Sequence, residues 1–247
     1  MKPTDELHRH LEELQLCWSL EHYETLAQQA ARENWTAPDY LRQLLEGECL
    51  RRRQQRVEHR LQAARFPIVK TLESFNWSWP KKINRAQVQE LFRLSFLEQH
   101  TNVILLGGVG LGKTHLATAL GYAACQQGHR VLFATAMNMV NHLLAAQAAH
   151  RLKTTLRLYT APRLLVLDEV GYLPLDKQGA DLLFQVISER YEHGSIVLTT
   201  NKAFKQWPTI FHNDSTLTSA VRDRLLHHAE TVLIEGASYR MKDRIET

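Results

Sequence analysis

The sequence predicts an α/β fold, a parallel sheet flanked by helices, preceded by a small all-helical N-terminal domain. Three observations carry it. From residue 102 onward, short apolar runs alternate with helix-length segments, the pattern of a parallel sheet covered on both faces. The first of these runs opens into a glycine-rich loop and then a helix-like stretch. Residues 5–32 hold neither Gly nor Pro and keep a rough helical period.

Each element follows from local chemistry. Leu7, Leu11, Leu14 and Leu20, then Tyr23, Leu26, Ala27 and Ala30, put one continuous helix over 5–32. Trp35-Thr36-Ala37-Pro38 ends it, because proline suits the first turn of a helix and not its interior. A second helix over 39–64 carries Tyr40, Leu41, Leu44, Leu45, Cys49, Val57 and Leu61. The helical domain then spans 1–65, and the α/β domain 66–247. Phe75, Trp77, Trp79 and Pro80 make an aromatic, turn-rich entry segment, followed by a helix over 84–97. Strands are expected at 103–106, 130–134, 164–168, 196–200 and 231–234. Helices are expected at 116–124, 137–149, 150–159, 178–191 and 217–227.

Composition narrows the class. A chain of 247 residues holds one sizeable domain plus a small one. Hydrophobic content of 44% and charged content of 23% are those of a globular protein. No apolar run approaches the ~20 residues of a membrane span, and the charged start MKPTDELHRHLEEL lacks a signal-peptide core. A cytoplasmic protein without membrane contact is expected. Cys17, Cys49 and Cys125 have no metal-like spacing and should be reduced. The close histidine sets, His8/His10 and His227/His228, lack a matching pair elsewhere, so solvated or packing roles fit them. Charge is uneven: −6 over residues 1–50, +5 over 51–65 and +5 over the rest. A local basic patch of this kind steers polyanions.

Residues 102–115 read NVILLGGVGLGKTH. Gly107, Gly108, Val109, Gly110, Leu111, Gly112, Lys113 and Thr114 match G-x-x-x-x-G-K-T, with a strand before and a helix after. Glycines let backbone N–H groups converge on phosphate oxygens, and the helix N-terminus adds a favourable dipole. Lys113 is placed to reach the β- and γ-phosphates, and Thr114 to face Mg²⁺. Adjacent His115 closes the candidate ATP-binding set. A second signal is LLVLDEVG at 164–171, a buried strand delivering Asp168 and Glu169 to its carboxyl end, where ligands sit in open parallel sheets. Asp168 suits Mg²⁺, and Glu169 the attacking water. Thr199-Thr200-Asn201 ends the next strand, where a polar side chain can contact that water or the γ-phosphate. Arg222, Arg224 and Arg240 are candidate guanidinium stabilisers of transferring phosphate.

In this order, GGVGLGKTH, LLVLDEVGYLPLD, IVLTTN, DRLLHHA and GASYR resemble the IstB-type AAA+ ATPases. These are helper proteins encoded in bacterial insertion sequences beside an IstA-type transposase, similar to the DnaC/DnaA initiator clade. The resemblance covers the whole chain. It implies a Walker A loop at 107–114, a Walker B pair at Asp168 and Glu169, sensor 1 at Asn201, a trans arginine finger at Arg224 and sensor 2 at Arg240. It leaves Arg222 without a clear role. It also implies a truncated C-terminal lid, an oligomer with ATP between subunits, and assembly on duplex DNA. The extra helix of that clade precedes the Walker B strand and here carries Arg151, Lys153 and Arg157. Arg53, Arg56 and Arg60 form a second DNA candidate on one helical face. A replicative helicase loader of the DnaC type is the alternative within the clade.

Overall fold

The computed structural model describes residues 3–239. It divides into two compact units, Met1–His59 and Arg60–Thr247.

The first unit is helical: α1 (Pro3–Glu13), α2 (Cys17–Glu33) and α3 (Ala37–Ala64), the last turn of α3 belonging to the second unit. The single helix expected over 5–32 is in fact broken at Leu14–Leu16, with Gln15 at φ +53. Tertiary packing is the reason. The turn brings Leu11, Tyr23 and Leu44 into one cluster, padded by Leu16, Trp18, Leu20, Leu26 and Tyr40. Three buried apolar side chains at roughly 2 kcal/mol each make a thin core, so polar contacts matter here. Glu48, 3% exposed, accepts from the backbone N–H groups of Trp18 (2.8 Å) and Ser19 (3.2 Å). It thereby caps the start of α2 from thirty residues away. Arg52 and Arg51 lie at 3.1 and 3.9 Å from the same carboxylate. Burial alone would raise the Glu48 pKa. The Ser19, Arg52 and Trp18 hydrogen bonds outweigh it and hold the acid below its ordinary range.

In the second unit, β1 (Asn102–Gly107), β2 (Val131–Thr135), β3 (Leu164–Val170), β4 (Ser195–Thr200) and β5 (Ala229–Ile234) form one parallel sheet in the order β2-β3-β4-β1-β5. β4 is central, between β3 and β1, and every one of its residues is buried. Alternate residues face opposite layers. Ile104, Leu132, Leu165, Leu167, Ile196 and Leu198 join one core. Val103, Leu105, Phe133, Leu164, Val166, Val197 and Val232 join the other. The first layer holds α7 (Ala136–Ala148), α8 (Leu152–Thr160), α9 (Lys177–Arg190) and α10 (Ser215–Leu226). The second holds α6 (Lys113–Gln126) with α4 (Arg85–Leu91) and α5 (Ser95–Glu98). The helix expected over 84–97 is split between these two, with Leu94 at φ +62. The kink buries Leu91, Leu94, Phe96 and Leu97 together, which one straight helix would spread around its circumference.

The start of α8 also differs from expectation. Arg151 precedes the helix as its N-cap residue, after a turn with His150 at φ +55. Its far end is held by a buried cation. Arg190, 1% exposed, donates Nη1 to the carbonyls of Tyr159, Thr160 and Pro162, and Nη2 to those of Arg163 and Ser195. Burial, with Arg163 nearby, lowers its pKa to about 10. It stays charged, with carbonyl dipoles in place of a carboxylate partner.

Candidate nucleotide site

The glycine loop leaves the carboxyl end of β1 and enters α6 at Lys113. Two of its glycines are dictated by geometry. A Cβ on Gly107 would lie 2.3 Å from the Ile234 carbonyl. Gly112 sits at φ +87, and a Cβ there would lie 2.7 Å from the Phe75 ring. Gly112 caps α6 without a side-chain hydrogen bond, so the first N–H groups of a fourteen-residue helix face the loop's hollow. Lys113 curls back, its Nζ 2.6 Å from the Gly108 carbonyl.

The neighbouring strands supply oxygen. Thr114 Oγ1 donates to the Asp168 carboxylate, at 3.1 Å from Oδ1 and 3.0 Å from Oδ2. Asp168 is 4% exposed. The β3–β4 pairing skips one position here: Leu167 pairs with Leu198, but Val170 with Thr200. Asp168 and Glu169 therefore face the single residue Thr199, a β-bulge. Thr199 Oγ1 donates to Asp168 Oδ1 at 2.5 Å and accepts the Glu169 N–H at 2.9 Å. Glu169 adopts φ +61, and its side chain is exposed.

A roof closes the other side. The entry segment and the stretch after β5 line a cavity of about 470 Å³ with Gly110–His115, its walls including Lys70, Phe75, Trp79 and Tyr239. Lys82 and Glu235 form an antiparallel bridge. Trp79 Nε1 donates to the Ala237 carbonyl at 2.9 Å and meets Tyr239 edge to face. His115 Nε2 lies 2.9 Å from the Thr71 carbonyl. Burial pushes its pKa below the ordinary value, the Thr71 contact opposes this, and Lys70 adds to it.

The residues fit a magnesium nucleotide. Cβ-free backbone frames the hollow, and the Asp168 carboxylate hydrogen-bonded to the Thr114 hydroxyl beside it is a hard-oxygen set suited to Mg²⁺. The model for IstB-like ATP binding proteins matches residues 9–247. A protein named for ATP binding in insertion sequence IS21 of Pseudomonas aeruginosa is 44% identical over 223 residues, covering 90% of this chain and 84% of that one. The chain belongs to the IstB-like ATP-binding family.

Solved structures give the fold of this IstB-like chain. The DnaC helicase loader matches with TM-score 0.56 at 22% identity, over 67% of this chain and 96% of that one. AMPPCP-bound DnaA from Aquifex aeolicus matches with TM-score 0.58 at 22% identity, over 74% of this chain and 55% of that one. The fold is thus the expected AAA+ arrangement, a five-stranded parallel sheet between helical layers.

The structure brings together Gly107 to His115, Asp168 and Glu169. Asn201 follows on the exposed turn after β4. Arg224 lies elsewhere. Asn102, the first residue of β1, donates to the carbonyl of Leu225 and accepts from Ile196 N–H. The end of α10 is therefore at the amino edge of the sheet, a six-residue strand away from the glycine loop, or roughly 20 Å. There Arg224 lies over the Phe184 ring at 5.0 Å. Arg222 is exposed on the same helix. Arg240 falls outside the described residues. Arg151, Lys153 and Arg157 are exposed around α8, and Arg53 and Arg56 on α3, whereas Arg60 is half-buried. Trp79 and Tyr239 are lining residues to which the sequence assigns no role at the site, and Thr199 is legible there only as part of the Thr199-Thr200-Asn201 run. For Trp79 the local signal is the aromatic richness of 75–80.

Proposed function

We propose that this IstB-like chain is an ATP-hydrolysing, duplex-DNA-binding AAA+ helper of an IstA-type transposase in target selection. The observation that carries the reading is the pairing of Thr114 with buried Asp168 beneath a glycine loop, with Glu169 beside it. Mg²⁺, when bound, neutralises charge on the β- and γ-phosphates. Thr114 and Asp168 would hold it, and Lys113 would reach the same phosphates. Glu169 would orient and deprotonate water, with Asn201 assisting. Arg224 cannot serve its own site from the opposite edge, which supports a role in a neighbour's site and hence a homo-oligomer. Arg240, directly after the cavity-lining Tyr239, would contact phosphate. Arg151, Lys153 and Arg157, with Arg53, Arg56 and Arg60 of the helical domain, would contact DNA phosphates without reading sequence.

The test is ATP turnover at rising protein concentration, with and without duplex DNA, alongside Glu169→Gln. The reading expects turnover that rises with both additions and is lost in the variant while ATP affinity remains. Turnover independent of DNA and of protein concentration would overturn it. Specific capture of a hexameric helicase instead of a transposase would move the function to helicase loading. Lys153→Glu with Arg157→Glu should weaken DNA binding and flatten its salt dependence.

A further inference from the structure

We infer that Thr199 is a positioning residue for the hydrolytic pair, fixing Asp168 and Glu169 through one hydroxyl. This rests on the roles proposed above for those two acids.

The β-bulge creates the need. Where β3 spends two residues against one on β4, the ladder is locally disrupted, and the Glu169 N–H turns to a side-chain partner. The Thr199 hydroxyl takes that N–H at 2.9 Å. Its own proton goes to Asp168 Oδ1 at 2.5 Å. A single buried atom thus accepts from the backbone of one acid and donates to the side chain of the other. Thr199 is 1% exposed, so water does not replace it.

Two consequences follow. With Oδ1 engaged by Thr199, the Asp168 carboxylate cannot rotate freely, and it meets the Thr114 hydroxyl with both oxygens, Oδ1 at 3.1 Å and Oδ2 at 3.0 Å. The orientation of the carboxylate that would face a metal is therefore set by β4. Glu169 at φ +61 is a backbone state that non-glycine residues avoid unless the surroundings hold it. The Thr199 bond holds its N–H, and so the direction in which the exposed side chain leaves the strand. Thr199 also begins the Thr199-Thr200-Asn201 run. Thr200 Oγ1 donates to the Val170 carbonyl at 2.7 Å and accepts from Lys202 N–H at 3.1 Å. The strand end that presents Asn201 is thereby pinned on both sides of the bulge.

Thr199→Val keeps the shape and removes the hydroxyl, and Thr199→Ser keeps the hydroxyl. Full-length protein is assayed with a fluorescent ATP analogue at varied Mg²⁺, and for turnover with DNA. For Thr199→Val we expect unchanged nucleotide affinity in the absence of Mg²⁺. The Mg²⁺ concentration for half-maximal binding should rise, and kcat should fall roughly ten- to hundredfold with little change in KM. Thr199→Ser should restore both. Wild-type Mg²⁺ dependence and kcat in Thr199→Val, alongside an inactive Glu169→Gln, would overturn the assignment of Thr199 alone. An active Glu169→Gln would instead strike the proposed function. If Thr199→Val does not fold, Thr199→Ala measured against Thr199→Ser decides by the same Mg²⁺ shift. Equal Mg²⁺ dependence in those two would overturn the assignment.

Discussion

The Tyr239 backbone N–H donates to the Gly110 carbonyl at 2.9 Å. The chain leaving the last strand is tied by this bond to the loop that would cradle phosphate, and Trp79 braces the tie through Ala237. Trp79→Ala should loosen one wall of the cavity without touching Asp168 or Glu169. We expect ATP affinity to fall about tenfold, the cost of one lost hydrogen bond and ring contact, with kcat at saturation nearly unchanged. A titration with the fluorescent analogue and a turnover curve separate the two. Loss confined to kcat would contradict this assignment.

Gly112 tests the loop's steric frame. Gly112→Ala places a methyl group against Phe75 at a positive φ, for about 2–4 kcal/mol of combined strain and overpacking. The melting temperature should drop by roughly 5–15 °C, and nucleotide should no longer raise it. Adding Phe75→Leu should recover part of the stability by opening space. If the double variant is no more stable than the single one, the Phe75 contact is not what excludes a side chain.

Arg224 tests which molecule completes the site. Arg224→Ala should bind ATP normally, since the residue lies at the opposite sheet edge, yet lose turnover on the order of a thousandfold. Mixing it with Glu169→Gln should restore activity, because mixed neighbours pair an intact finger with an intact acid. Mixtures as inactive as their parts would refute a trans role.

Acid stability follows from three histidines. Burial lowers the pKa of His100, with Arg163 and His193 adding to it. Burial also lowers His115 and His129. Each has its folded pKa below the ordinary 6.5. The unfolded chain therefore binds more protons near and below that pH, and stability falls as pH drops through it. The urea midpoint should decrease between pH 7.5 and 5.5, and His129→Gln should shrink the decrease. A midpoint that rises on acidification would reverse the sign argued here.

Periodicity and motif order made the sheet, its flanking helices and the glycine loop legible, because buried parallel strands read as apolar runs. What stayed hidden depends on distant partners. The break at Gln15 is set by Leu11 reaching Tyr23 and Leu44, and the start of α2 by Glu48. Neither leaves a local mark such as Gly or Pro. The split at Leu94 has the same origin. At the site, Lys113, Thr114, Asp168 and Glu169 were readable from spacing. Thr199 was not separable from Thr200 and Asn201, because only the skipped pairing of β3 and β4 shows which hydroxyl faces the acids.

The placement of the glycine loop and Arg224 at opposite sheet edges has an arithmetic consequence. A contact that seats one molecule's Arg224 at another's Asp168 joins unlike surfaces, so it is directional and cannot close as a two-fold pair. A row built this way has two different ends. One displays a nucleotide site with no visitor, the other an arginine with nowhere to go. An open row of subunits always has one fewer complete site than it has members, and a closed circle has none missing. In such a row, the fraction of sites competent to hydrolyse ATP would report whether it has free ends.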